Sequence, residues 1–243
     1  MPRALILNPN TSDSVTAMLI AHVGGMLGSD WQLQGVTASF GAQYIASETA
    51  YAVATHATLD SFAQAQGDAP DAVLIGCFGD PGLEAVREIA NIPVIGLAEA
   101  AMLEAARYGR FAIVTGGPRW APILQRRAQA AGLASQLVHI GILAESGAEL
   151  AADREAAIAL LRHACEETSR VFHPDVIILG GAALAGIGDI LAAQLGMPVI
   201  DSVSAAARAL QAAQPDQIEA AGPDGVAYSG ISPALVLALQ KTS

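Results

Sequence analysis

The chain has 243 residues, of which 53% are hydrophobic and 14% are charged. This composition excludes a disordered chain and is sufficient for a large buried core in one large domain or two small ones. The formal net charge of −11, from twelve Lys and Arg against twenty-three Asp and Glu, argues against binding of a phosphate backbone, which needs clustered cations. We therefore expect no nucleic-acid partner.

The amino-terminal segment MPRALILNPNTS has an apolar run that is too short for a signal peptide, and no stretch approaches the roughly 18 to 20 apolar residues of a membrane span. We expect a cytoplasmic protein with no membrane partner. Cys77 and Cys165 are not expected to pair in a reducing compartment. The histidines lack ligand spacing, and neither a GxGxxG motif after the first strand nor a phosphate loop is present, so we expect no metal and no cofactor.

Strands and helices alternate along the first part of the chain. Short apolar or alternating runs that end in turn residues predict strands, and apolar residues at helical spacing predict a helix after each one. The predicted strands are 3–7, 31–37, 72–75 and 92–97. The predicted helices are 14–27, 47–66, 83–90 and 99–108.

The same alternation continues through the second part, which is typical of an α/β protein with mostly parallel sheets and helices on both faces. The predicted strands are 110–115, 138–143, 174–179 and 197–200. The predicted helices are 121–131, 147–171, 188–194 and one that begins at Ser204. A Pro- and Gly-rich segment, 215–230, is predicted to be a loop, and a final short helix follows at 233–241.

The second part repeats the first. Cys77 and Gly181 are 104 residues apart, and Pro93 and Pro198 are 105 residues apart. A repeat of this length, too long for a solenoid unit, predicts two similar α/β lobes whose strand ends converge on one cleft. The approximate boundaries are 1–100 together with 205–243 for the first lobe, and 101–204 for the second.

Cys77 follows the predicted strand 72–75 and comes just before a helix. Open α/β sheets bind ligands at this end of their strands, and a thiol near helix amide groups can become a nucleophile or a proton carrier. The alternative is a small apolar core residue, as most free cysteines are. Because the duplicated loop carries Gly181, a thiol would reach a ligand from one side only.

Several segments carry a family resemblance. The segment LILNPNTS, the loop GCFGDPGLEAVRE with the following IPVIGLAEA, the strand end IVTGG, and DVIILGGAALAGIGDIL with the following MPVID resemble the aspartate/glutamate/hydantoin racemase superfamily. The likeness is strongest to its hydantoin racemase branch and covers essentially the whole chain.

The resemblance implies a cofactor-independent enzyme of two pseudo-symmetric α/β lobes that acts at an acidic carbon next to a carbonyl. In the racemases of this superfamily one cysteine from each lobe flanks that carbon, and Cys77 matches the first. The second falls at Gly181, so a racemase would need a water molecule or another side chain as its second acid. The implied substrate is a small carboxylate, an amino acid or a cyclic ureide such as a hydantoin, and the Ala-rich helix surfaces predict a homo-oligomer.

A carbanion beside a carbonyl places negative charge on oxygen, which preorganised N–H and O–H donors stabilise. The strand-end loops offer such donors, although turn formation or helix capping is the alternative role of each residue. Phe78 and Trp120 could form an apolar wall or belong to the core. The candidate substrate-binding residues are Asn8, Asn10, Thr11, Phe78, Gly79, Thr115, Gly116, Gly117, Gly181 and Ala182. Asn8 and Thr115 occupy equivalent positions in the two halves of the repeat.

Three functions are compatible with a single thiol. The first, which we favour, is an isomerase in which Cys77 carries a proton to or from the α-carbon. The second is a decarboxylase similar to the arylmalonate decarboxylase branch, and a covalent cis–trans isomerase similar to the maleate isomerase branch is a variant of this one-thiol chemistry. The third is a non-catalytic binder of small molecules. Racemisation erases optical activity, whereas one-sided protonation gives an optically enriched product with release of CO₂.

Overall fold

The computed structural model describes residues 1–65, 69–213 and 225–240, and within them the strands form two parallel sheets of four strands each. The first four strands are β1 (Arg3–Asn8), β2 (Gln32–Thr37), β3 (Ala72–Ile75) and β4 (Val94–Gly96). The last four are β5 (Phe111–Gly116), β6 (Leu137–Leu143), β7 (Val176–Gly180) and β8 (Val199–Asp201). The two sheets have the same order, β2-β1-β3-β4 and β6-β5-β7-β8. This confirms the predicted α/β fold with its internal repeat.

Helices connect the strands on both faces of the sheets. In the first part they are α1 (Asp13–Leu27), α2 (Glu48–Ala65), α3 (Leu83–Ile89) and α4 (Leu97–Ala106). In the second part they are α5 (Ala121–Ala130), α6 (Gly147–Ala152), α7 (Arg154–Phe172), α8 (Gly188–Leu195), α9 (Ser202–Ala212) and α10 (Pro233–Gln240). None of these helices is both long enough and apolar enough to span a bilayer, as far as the described residues go. The predictions for residues 66, 215–224 and 241 lie outside those residues.

The register of strand pairing is equivalent in the two sheets. Leu7 of β1 pairs with Ile75 of β3, and Val114 of β5 pairs with Leu179 of β7. The next residues along β1 and β5 therefore occupy matching positions, as the repeat predicts. The central strand β3, AVLI, is buried along its whole length because helices cover both faces of the sheet.

The prediction of one helix over 147–171 is wrong, because the chain forms the separate helices α6 and α7 there. Asp153 interrupts the helix: its backbone is extended, with φ −136°, and its carboxylate accepts the N–H of Ala156 as the N-cap of α7. Ser146 begins α6 through a capping box with Glu149. The short α6 is thus an independent element.

Two helices join the sheets into one body. Helix α4 follows β4 of the first sheet and packs against β7 of the second, whereas α9 follows β8 and packs against β3 and β4. The helices also contact each other, and both carry fully buried alanines, such as Ala101 and Ala206, whose small size allows close approach. One continuous apolar core therefore contains residues of both sheets, among them Leu74 and Ile113.

Candidate active site

A cavity of about 570 Å³ opens at the carboxyl ends of β1, β3, β5 and β7. Each of these strands, or the loop that follows it, contributes to the lining with Asn10, Cys77, Thr115 and Gly181 respectively. The fold therefore brings together the four loops that the repeat predicts to converge. Strand ends of parallel sheets are where ligands of α/β proteins bind.

The walls of the cavity are mostly apolar. Phe78 and Trp120 lie in the wall, as the sequence allowed, together with Leu150 and Leu184. Among the described residues that line the cavity, none is Lys, Arg, His, Asp or Glu. Its polar side chains are all neutral and belong to Asn10, Ser12, Ser14, Gln43, Tyr44 and Thr115. Such a site favours an uncharged ligand.

The loop that carries Cys77 is packed tightly against its own lobe. Gly76 donates its N–H to the carbonyl of Leu7, at 2.7 Å, and a Cβ at Gly76 would lie 2.4 Å from Cδ1 of Leu19. The carbonyl of Cys77 accepts the N–H groups of the residues two and three positions later, at 2.9 and 3.0 Å. Cys77 is 8% exposed, and the side that remains open faces the cavity.

Asp80 fixes the far end of this loop. It is fully buried and has a left-handed backbone, with φ 54°. Its two carboxylate oxygens accept the N–H groups of Ala98 and Glu99 at the start of α4, each at 2.8 Å. The guanidinium of Arg127 lies 3.6 Å from the same carboxylate. Sequence reasoning did not single out Asp80, although it lies within the motif GCFGDPG.

The surroundings raise the pKa of the Cys77 thiol above its ordinary range, first through burial and second through the nearby charge of Asp80. Burial also raises the pKa of Asp80 to about 7, although Arg127 and the two N–H donors of α4 favour its ionised form. The thiol is therefore protonated at neutral pH. A protonated thiol is suited to giving a proton, whereas removing one requires the scarcer thiolate.

The loop after β1 is organised by its asparagines. The Asn8 amide is fully buried and donates to Asn10, Ser12 and Thr16, so it shapes the loop and does not reach the cavity. Oδ1 of Asn10 accepts from Asn8 and from the N–H of Ser12. This leaves the Nδ2 group of Asn10 without a partner among the described residues. It is the donor that the loop offers to the cavity.

The second lobe brings glycines to the opposite wall. The Phe78 ring fills the space beside Gly180, where a Cβ would lie 2.1 Å from Cε1 of the ring. Gly181 has φ 131°, a conformation that only glycine adopts readily, and its N–H donates to Ser202 at 3.2 Å. Thr115 donates its hydroxyl to the carbonyl of Gly180 at 2.6 Å, so it joins β5 to β7.

The predicted site residues divide into two groups. Asn10, Phe78, Thr115, Gly116, Gly181 and Ala182 line the cavity, with Cys77 among them. Asn8, Thr11, Gly79 and Gly117 lie behind the lining: Thr11 donates its N–H to the carbonyl of Ala42, and a Cβ at Gly79 or Gly117 would strike the Trp120 ring. Their positions shape the loops around the cavity.

The sequence analysis missed Tyr44, which lines the cavity. It lies in the loop between β2 and α2, and its hydroxyl oxygen accepts the N–H of Gly147 at 3.2 Å and the indole N–H of Trp120 at 3.5 Å. The signal that could have found it is the strand-end rule, applied to β2 as well as to its neighbours. Within the described part of the chain, no group of three or more His, Cys, Asp and Glu side chains could hold a metal ion.

Comparisons with known proteins agree with this architecture. The model of the Asp/Glu/Hydantoin racemase family matches residues 5–210. A hydantoin racemase of Paenarthrobacter aurescens is 32% identical over 208 residues, which are 85% of this chain and 88% of that protein.

Two solved structures show the same fold. Allantoin racemase from Klebsiella pneumoniae has a TM-score of 0.88 and 29% identity, and the match covers 97% of this chain and 99% of that one. Unliganded arylmalonate decarboxylase has a TM-score of 0.60 and 18% identity, with 90% and 98% of the two chains covered. The family match spans most of the sequence and confirms the resemblance carried by the sequence motifs. This chain belongs to the Asp/Glu/hydantoin racemase family and is an isomerase-type enzyme.

Proposed function

We propose that the protein racemises a neutral five-membered cyclic ureide of the hydantoin class, with Cys77 as a proton-transfer group at the substituted ring carbon. The observation that carries this proposal is a thiol in a cavity whose described lining has no charged side chain. A carboxylate moved into such a cavity would lose its hydration without gaining a cation. A cyclic ureide carries no charge and presents amide groups that neutral donors and acceptors can bind.

The relatives support the same substrate class. The two racemases described above are named for hydantoin and allantoin, which are both five-membered cyclic ureides. In such a ring the substituted carbon lies next to a carbonyl, so removal of its hydrogen places negative charge on that oxygen. The Nδ2 group of Asn10 is positioned on the cavity side to donate to it. The missing side chain at Gly181 leaves room for a ring substituent.

The test uses one enantiomer of 5-benzylhydantoin and of allantoin, with loss of circular dichroism as the readout. We expect racemisation by the wild-type protein and a loss of about 10²- to 10⁴-fold in Cys77→Ser, because a hydroxyl replaces the thiol as proton carrier. Cys165→Ser is the matched control, since Cys165 is buried within α7 and does not line the cavity. Undiminished racemisation by Cys77→Ser would overturn the role of the thiol.

A second candidate is decarboxylation followed by proton delivery from Cys77. The observation in its favour is that only one wall of the cavity carries a thiol among the described residues. Release of CO₂ from an arylmalonate, with an optically enriched product, would support this reaction. Failure to release CO₂ together with racemisation of a hydantoin would exclude it.

The homo-oligomer and the cytoplasmic location remain predictions. Exposed apolar side chains support self-association, since Leu103 and Tyr108 of the α4 region are 47% and 52% exposed. Analytical ultracentrifugation at micromolar concentration tests this expectation. A single species of 24.7 kDa would contradict it.

A further inference from the structure

We propose that Tyr44 is the second proton-transfer group of the cavity, in place of the thiol that is absent at Gly181. This inference rests on the proposed racemisation of a cyclic ureide. Inversion at carbon requires an ionisable group on each face of the ring, and Cys77 supplies only one. Among the described residues of the lining, Tyr44 is the other side chain that carries an acidic O–H or S–H group.

The Tyr44 hydroxyl is anchored on the lobe opposite Cys77. Tyr44 itself follows β2 of the first sheet, but both donors to its oxygen belong to the second part of the chain. One is the backbone N–H of Gly147, the first residue of α6, and the other is the indole N–H of Trp120, just before α5. The side chain therefore spans the cleft and presents its oxygen at the far wall.

This position lies beside the loop that begins at Gly181. A Cβ placed at Gly147 would be 3.8 Å from the Tyr44 hydroxyl oxygen and 3.5 Å from Cβ of Ala183, so the phenol and the loop after β7 are neighbours. At Gly181 the closest atom to an added Cβ is Cγ of Leu184, at 4.0 Å. The space that a second thiol would occupy is open, and Tyr44 lines the same cavity.

Gly117 makes room for this arrangement. Its φ is 98°, and a Cβ there would lie 3.0 Å from the Tyr44 hydroxyl oxygen and 2.9 Å from Cδ1 of Trp120. Any side chain at this position would push the phenol or the indole away. Gly117, which the sequence predicts as a binding residue, therefore leaves space for the Tyr44 hydroxyl.

The hydrogen bonds of Tyr44 suit a proton donor. Two N–H groups already point at its oxygen, so its own O–H hydrogen is directed elsewhere, and no protein acceptor for it is found among the described residues. When the phenol gives up its proton, the same two donors stabilise the phenolate. Tyrosine is an established general acid and base in enzymes.

The proposed step is balanced. The Cys77 thiolate removes a proton from the ring carbon: a C–H bond breaks, an S–H bond forms, and the electron pair of the C–H bond moves onto the adjacent carbonyl. The Tyr44 O–H then protonates the opposite face: an O–H bond breaks and a C–H bond forms, which leaves the thiol and the phenolate. A proton returns from the thiol to the phenolate through water after the product leaves. The reverse direction exchanges the two roles.

The experiment compares isotope exchange with inversion. Each enantiomer of 5-benzylhydantoin is incubated in D₂O, and loss of the ring C–H signal by NMR is measured alongside loss of circular dichroism, with the spontaneous rates subtracted. In Tyr44→Phe we expect racemisation to fall by about 10²-fold or more. Cys77-dependent exchange of one enantiomer, with retention of configuration, should continue. Tyr108→Phe, a surface change, is the matched control.

A second variant keeps the test decisive if the melting temperature of Tyr44→Phe shows a folding defect. Trp120→Phe keeps an aromatic ring but removes one donor to the Tyr44 oxygen, and should slow racemisation about fivefold to tenfold more than exchange. Racemisation unchanged in Tyr44→Phe, or exchange and racemisation falling in parallel in both variants, would overturn this inference alone. A wild-type protein that neither exchanges nor racemises the substrate overturns the proposed function and this inference with it.

Discussion

The protonation state of Cys77 is set by two features of its surroundings, burial and the charge of Asp80. Both disfavour the thiolate, so the resting group at neutral pH is a thiol. An enzyme that must remove a proton with this group depends on a small thiolate fraction. The rate of the reaction is then controlled by pH over a wide range.

We expect kcat/KM for a hydantoin enantiomer to rise by up to about tenfold per pH unit from pH 6 to at least about pH 8.5, the ordinary pKa of a free thiol. The reason is that the pKa of Cys77 lies above that ordinary value, so the thiolate fraction keeps growing throughout this range. A pH–rate profile, corrected for spontaneous racemisation, measures it. A plateau near pH 7 would contradict the raised pKa.

Replacing Asp80 by Asn should move the alkylation of Cys77 to lower pH. The substitution removes a negative charge that raises the pKa of the thiol, and its effect should be largest above about pH 7, where Asp80 is ionised in the native protein. The rate of iodoacetamide modification, followed by mass spectrometry against pH, is the measurement. The variant should also lose about 1–3 kcal/mol of stability, because one N–H of α4 loses its acceptor.

The matched control for this experiment is Asp71→Asn. Asp71 also accepts a backbone N–H, from Arg3 at 2.7 Å, but it lies at the amino end of β3 and far along the strand from the thiol. Its replacement should leave the pH dependence of Cys77 alkylation unchanged. Equal profiles for Asp80→Asn and the wild-type protein would show that this charge does not act on Cys77.

At the scale of elements, the wall of the cavity is built by close packing between a loop of one lobe and a strand of the other. The Phe78 ring, next to Cys77, occupies the space beside Gly180 at the end of β7. A side chain at that glycine would collide with Cε1, Cδ1 and Cζ of the ring. The contact therefore sets how closely the Cys77 loop approaches the second sheet.

Gly180→Ala should destabilise the protein by about 1–3 kcal/mol and displace the Phe78 ring into the cavity, because the new Cβ would lie 2.1 Å from the ring. Urea unfolding and the affinity for a hydantoin measure the two effects. Gly25→Ala is the control: it lies in α1 with no atom within 4 Å of the new Cβ, and should stabilise the helix by about 0.5–1 kcal/mol. Equal stabilities of the two variants would refute the contact.

The strands and their repeat could be predicted from the sequence because short apolar runs ending in glycine or proline are strong local signals. The sequence predicts the β3 run AVLI at its observed bounds, 72–75, and the constant spacing of the second half predicts the symmetry of the sheets. The break at Asp153 was missed because a single Asp among helix formers is ambiguous, and its capping role depends on the local backbone.

The candidate site was predicted in part. Cys77 and Asn10 follow directly from the strand-end rule, and both line the cavity. Asn8 was expected to bind substrate, but its amide is occupied by loop hydrogen bonds that the sequence does not reveal. Tyr44 was missed because its hydroxyl crosses to Gly147, which is 103 positions away in the chain. Contacts of this kind follow from the packing of whole lobes.

At the scale of the whole molecule, a cluster of ion pairs around the buried Arg127 accompanies the apolar core that joins the two sheets. Arg127 of α5, which is 5% exposed, reaches Asp80 at 3.6 Å, Glu99 at 3.7 Å and Glu84 in a shorter ion pair. These acidic residues belong to the Cys77 loop, to α4 and to α3. The cluster thus connects the second sheet's first helix to the loop that carries the thiol.

Arg127→Met should destabilise the protein by about 3–5 kcal/mol, because it leaves the fully buried Asp80 carboxylate without its cation. Arg126→Met is the matched control on the same helix. Arg126 also pairs with an acidic residue of the first part of the chain, Glu48 at 2.9 Å, but both side chains are about half exposed, and such pairs contribute about 0–1 kcal/mol. Urea unfolding of both variants gives the comparison.

The pH dependence of the stability lost in Arg127→Met tests whether Asp80 is the source of that loss. Burial raises the pKa of Asp80 to about 7 in the native protein, and loss of Arg127 should raise the pKa further. A carboxyl whose pKa is higher in the folded state than in the unfolded state makes the protein less stable as the pH rises from the unfolded-state pKa up through the folded-state pKa. The deficit of Arg127→Met should therefore be larger at pH 8 than at pH 6, where protonation neutralises Asp80. A deficit that is equal at both pH values would place the destabilisation at the other two acidic partners of Arg127, Glu84 and Glu99.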